Sequence, residues 1–143
     1  MTFYHALNMA HGGAAILLLS LAIISVFIAV LIAVKPAVDP ANQALVKKAN
    51  FVALIEIIAA IIVTLTGMIA MLTGSWPLSQ LWLWMSLTII VFYIVALEWI
   101  TKPARLAVAE GGSEVKSGMQ VTLQMAHVLL LFAAFALMAL KPI

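Results

Sequence analysis

Four ionisable side chains, His11, Glu56, Glu98 and His127, fall inside long apolar runs of the sequence. A charged or strongly polar group among apolar residues is costly, so each is a functional candidate by default. An imidazole is the commonest side-chain ligand for metal ions and a proton carrier near neutral pH. Spacing groups these residues into stripes. Ser117, Gln120, Gln124 and His127 recur at three and four residues and share one face of a helix, a face that must meet protein. Glu56, Ala60, Thr64, Gly67, Met71 and Gly74 form a second stripe, small and polar, of the kind that lets helices approach closely. Met85, Thr88, Val95 and Glu98 lie roughly together on a third.

The elements that carry these stripes follow from composition. Of 143 residues, 66% are hydrophobic and only 8% charged, with a mean hydropathy of +1.25. A soluble domain carries about 25% charged residues. Four apolar runs, 9–34, 51–72, 81–100 and 121–140, each have the roughly 20 residues that cross a hydrocarbon core of about 30 Å. In lipid the backbone must satisfy itself, so each run is read as a helix. The fold class is all-α, a single transmembrane domain over 1–143: an antiparallel four-helix membrane bundle. Lys35-Pro36 and Asp39-Pro40 end the first helix, and Asn42 to Asn50 forms a polar helical lead into the second. Gly74-Ser75-Trp76-Pro77 is a tight turn that makes helices two and three antiparallel neighbours. Lys102-Pro103 ends the third helix, and Ala104 to Gly118 is a wet loop.

Charge sets the orientation. Lys35, Lys47, Lys48, Lys102, Arg105 and Lys116 all fall in the first and third connections, while only Lys141 lies at the other side. Basic loops stay cytoplasmic, so both termini are expected on the periplasmic side of a bacterial inner membrane. Trp76, Trp82 and Trp84 then belong to the outer interface and Trp99 to the inner one. The net charge of +2 is not a nucleic-acid footprint, because the cations sit in short loops and form no patch. No cleavable signal peptide is evident. Without cysteine, disulfides and thiolate metal sites are excluded. No phosphate-binding loop, dinucleotide motif, zinc-protease motif or nucleophile elbow is present, so no reaction is named.

Depth can be counted along each helix. Glu56 lies six residues past Asn50, about 9 Å inside the inner boundary, and His127 seven past Gln120, about 10 Å inside the same boundary. A Glu56–His127 hydrogen bond or ion pair is therefore a specific expectation. It would relay a proton, orient a ligand histidine, or clamp helices two and four together. Glu98, one turn before Lys102, is read as snorkelling or pairing with it.

His11 lies about 5 Å inside the outer boundary, followed by Gly12 and Gly13, which leave room for a neighbour or a flat ligand. It is a candidate ligand for haem iron or copper. The competing reading is an interfacial histidine bonded to the turn near Trp76. His5 is expected in solvent. A bis-histidine haem between His11 and His127 must span about 15 Å along the membrane normal, against roughly 12 Å that two ligand side chains bridge, each with a metal–nitrogen bond near 2 Å. Met9, Met68, Met71, Met85 and Met138 fall in the outer half, where thioethers suit Cu(I) or an axial haem position or serve as packing.

The segments Ala6-Leu7-Asn8-Met9-Ala10-His11-Gly12-Gly13, Trp82-Leu83-Trp84-Met85-Ser86, Lys102-Pro103-Ala104-Arg105-Leu106 and Ala136-Leu137-Met138-Ala139-Leu140-Lys141-Pro142 resemble small bacterial inner-membrane proteins related to the CopD copper-resistance group and the HemJ-type protoporphyrinogen oxidases. That resemblance implies b-type haem held by an early histidine, matched by His11, or copper handling. It departs from the HemJ type near the start of helix three, where Met85-Ser86-Leu87 stands in place of a lysine. The leading expectation is a redox cofactor, haem b, with His11 and His127 as ligands and Glu56 behind them, a quinone as electron partner, and self-association. The competitors are a non-enzymatic subunit of a larger membrane complex and a copper-handling protein.

Overall fold

The computed structural model describes residues 2–36, 39–74, 76–111 and 114–140. Five α-helices follow in order: α1 (Phe3–Ala33), α2 (Ala41–Thr73), α3 (Leu81–Ala96), α4 (Lys102–Gly111) and α5 (Glu114–Leu140). A π-helical stretch, Leu97–Thr101, joins α3 to α4. The third crossing is thus one continuous helical run, Leu81–Glu110, and four helices are long and apolar enough to span a membrane. The protein is an all-α, four-helix, multi-pass membrane protein.

Each helix runs past its apolar stretch, because the edge of hydrocarbon does not end a hydrogen-bonded helix. α1 starts at Phe3, where the Thr2 hydroxyl accepts from the His5 N–H at 3.2 Å. α2 begins at Ala41, whose N–H donates to the Asp39 carboxylate at 2.9 Å, and so takes in the expected polar lead. α5 begins at Glu114.

The expected break at Lys102-Pro103 does not occur. Proline lacks a donor and its ring crowds the preceding turn. The wider turn of Leu97–Thr101 lies immediately before it, and the Lys102 N–H bonds Leu97 O, five residues back. Most of the expected wet loop is therefore helix. Arg105 and Glu110 sit on α4 and Lys116 on α5, while Gly112 and Ser113 lie outside the described residues, as do Ser75 of the tight turn and Lys141.

α1 packs most extensively on α2 and then on α5, and α3 packs on α5. α2 and α3, expected as close neighbours across their short turn, touch only sparsely, and α4 is the part of the third crossing that rests more fully on α2. The α1–α2 contact is close because small residues line it: Ala22 and Ala29 on one side, Ala49, Ala53 and Ala60 on the other, all buried. Large side chains such as Ile16, Phe27, Leu54, Phe92 and Leu129 point outward, which suits hydrocarbon as the surrounding solvent.

Candidate functional site

Two polar regions lie on the inward faces, one toward the end that carries the termini and one toward the basic end. The stripe on α5 is confirmed: Ser117, Gln120, Gln124 and His127 are all buried. The α2 stripe also turns inward, with Glu56 and Ala60 buried and Thr64, Gly67 and Met71 half-buried. The α3 stripe is corrected. Met85, Thr88, Val95 and Glu98 are exposed, and the buried face carries Trp82, Ser86, Ile90, Tyr93 and Leu97. α3 is apolar all round, so its pattern marks no face.

Toward the basic end, Glu56 is 1% exposed. Its carboxylate accepts from the Ser25 hydroxyl at 2.6 Å and, more loosely, from the Tyr93 hydroxyl at 3.5 Å. His127 makes no bond to Glu56, contrary to the sequence expectation. Its Nε2 lies 2.9 Å from the backbone oxygen of Tyr93, and its ring packs on Tyr93 with centroids 4.0 Å apart. Tyr93 thus stands between the two residues, bonding one through its hydroxyl and the other through its carbonyl. A carbonyl only accepts, so Nε2 of His127 carries the hydrogen and Nδ1 is left as an acceptor. That Nδ1 is buried and has no partner.

Arg105 completes this region. Read from sequence as a loop residue, it is 3% exposed. Its Nε donates to Asn50 Oδ1 at 2.8 Å and its Nη1 to Thr101 Oγ1 at 3.2 Å. Thr101 in turn donates to Leu97 O within the π stretch. Arg105 is also close enough to interact electrostatically with Glu56. The region therefore draws on every helix, through Ser25, Asn50, Glu56, Tyr93, Arg105 and His127. By contrast, Glu98 and Lys102 form an exposed pair at 3.2 Å, as expected from their spacing.

Toward the other end, His11 Nδ1 lies 3.0 Å from Val63 O and 3.1 Å from Thr66 Oγ1. Its partner is thus a turn of α2, and Trp76 bonds Tyr4 instead. The Thr66 hydroxyl donates to Ile62 O at 2.6 Å, and Val63 O can only accept. Nδ1 of His11 must therefore carry the hydrogen, which leaves the Nε2 lone pair free. The ring lies against Gly67, where an added Cβ would come within 2.9 Å of His11 Cε1.

His11 faces a cavity of about 370 Å³ between α1, α2, α3 and α5. Its walls are apolar, with Met68, Met71 and Met138 among them, and Gly12, Thr64 and Ser86 also border it. The Ser86 hydroxyl is buried without a partner, whereas Thr64 bonds Ala60 O. Met9 and Met85, the other two methionines of this half, face outward. His5 is exposed.

His127 and Glu56 do not border the cavity. Leu18, Ile90 and Leu131 do, and they belong to the same packed cluster as Tyr93. Ile90 lies three residues before Tyr93 and Leu131 four after His127, so about one helical turn of apolar side chains separates the two regions. The pairing of His11 with His127 around one ion finds no support in this arrangement. No cluster of three or more His, Asp or Glu side chains able to hold a metal occurs among the described residues. Compared with protein-family models, curated proteins and solved structures, the chain finds no match.

Proposed function

We propose that this protein binds a redox cofactor in the cavity beside His11, b-type haem being the leading form, within a bacterial inner membrane with its basic end cytoplasmic. One observation carries the reading: an imidazole whose Nδ1–H is fixed on a backbone carbonyl presents its free Nε2 beside an apolar cavity. Metal-ligating histidines typically have this arrangement, the second nitrogen anchored so that the ring is oriented before the metal arrives. The donor set fits a haem iron held by His11 and a thioether from Met68, Met71 or Met138. Haem bound there would supply one-electron transfer, and its apolar surroundings would tune the iron potential. This replaces the bis-histidine arrangement. His127 and Glu56 border no part of the cavity and are assigned no ligand role.

A second reading is favoured by the three methionines. Thioethers are soft donors that suit Cu(I), and imidazole also binds copper; all three methionines border the same cavity as His11. The visible spectrum and metal content of protein purified from membranes decide between the two. A Soret band and a reducible α band support haem, and copper without these bands supports the second reading. Metal-free protein that takes up neither haem nor Cu(I) on incubation would overturn both and leave a packing subunit of a larger assembly.

A further inference from the structure

Among the described residues, four buried side-chain atoms in the basic half have no partner: Asn42 Oδ1, Gln120 Oε1, Gln120 Nε2 and His127 Nδ1. Gln120 is 1% exposed, His127 3% and Asn42 4%. An amide left wholly unpaired in a protein interior forfeits bonds it would make in water, and hydrocarbon supplies none in their place. The atoms are not scattered. Gln120 and His127 share one buried face of α5 with Ser117 and Gln124, and Arg105, Asn50 and Asn42 add buried or half-buried polar groups from α4 and α2. Such a polar seam, reaching the basic end of the bundle, is where internal water is retained.

We infer that this seam is hydrated, and that water entering at the basic end of α5 reaches Nδ1 of His127. The hydrogen-bonding character of the open atoms matches water. Nδ1 of His127 and the Gln120 oxygen need a donor, and the Gln120 nitrogen needs an acceptor. Gln120 and His127 lie seven residues, about 10 Å, apart along α5. Hydrogen-bonded oxygens are about 2.8 Å apart, so a file of about three waters, with the Gln124 side chain between, covers the distance. Beyond His127 the file ends, because Nε2 of His127 bonds the Tyr93 backbone carbonyl, which only accepts. Toward the cavity Leu18, Ile90 and Leu131 close the route. The inference is independent of what occupies the cavity.

Because the chain has no cysteine, single cysteines report on water access without background. Gln120→Cys, Gln124→Cys and His127→Cys, reconstituted in vesicles, are treated with a small charged methanethiosulfonate, with Lys116→Cys as an exposed control. Labelling of Gln120→Cys and Gln124→Cys at least tenfold faster than of Leu131→Cys is expected. Labelling as slow as Leu131→Cys, while Lys116→Cys reacts readily, overturns the inference. Hydroxyl-radical footprinting of the unaltered protein covers the case in which the variants misfold. Oxidation of His127 at a rate approaching that of exposed His5 supports internal water, and an unmodified His127 beside an oxidised His5 contradicts it.

Discussion

The two halves of the bundle bury polar groups in opposite ways. Toward the termini a single imidazole is fixed on one nitrogen and left open on the other, beside a cavity with apolar walls. Toward the basic end six polar side chains drawn from every helix gather around Glu56, Tyr93 and Arg105. The first arrangement leaves bonding capacity for a visitor. The second spends Ser25, Glu56, Tyr93 and Arg105 on tying helices together, and leaves Gln120 and Nδ1 of His127 open to small polar partners within the seam. A polar residue inside a membrane is thus no single signal: what counts is which of its atoms remain unspent.

Substitutions can break this contrast. The largest effect on stability is expected for Glu56→Leu, which strands the Ser25 and Tyr93 hydroxyls and leaves Arg105 without its nearby carboxylate. A loss of about 3–5 kcal/mol is expected from removing one member of a buried charged set, measured by denaturant unfolding in detergent. Any ligand in the cavity should keep its spectrum in whatever fraction stays folded. Gly67→Val attacks the other half. Its Cβ would meet His11 Cε1 at 2.9 Å and push the ring off its seat, so cofactor affinity should fall about 10–100-fold while the fold persists, as titration of the purified protein would show.

Smaller effects sharpen the same comparison. Ser86→Ala removes a hydroxyl that has no partner, so the ligand-free protein should change by less than about 1 kcal/mol, or gain slightly. Thr101→Val, by contrast, removes a hydroxyl that holds Arg105 and should cost about 1–3 kcal/mol. Lys102→Ala breaks only an exposed pair and should cost no more than about 0.5 kcal/mol. If Ser86→Ala proved as costly as Thr101→Val, the distinction between spent and unspent groups would fail.

The spans were legible in the sequence because lipid demands long apolar helices, and the inward faces of α2 and α5 because their few polar residues recur at helical spacing. Helix ends were not, since polar residues continue a helix past the hydrocarbon edge. Arg105 was misplaced because Pro103 reads as a stop, and nothing in Leu97–Thr101 announces a π turn that accommodates it. Tyr93 and Ser25 gave no signal of their own within apolar runs. The spacing of Ser86, Ile90, Tyr93 and Leu97 would have shown the true face of α3, had the exposed Met85 face not looked equally apolar. Counting depth suggested that Glu56 and His127 meet, but could not show that Tyr93 stands between them.

The most direct test of the contrast is the reduced-minus-oxidised absorption spectrum of His11→Ala beside that of His127→Ala, each purified from membranes supplied with haem. The account predicts that the α band disappears in His11→Ala and survives in the folded fraction of His127→Ala. An α band that persists without His11, or one lost equally in both variants while the protein remains folded, would contradict it.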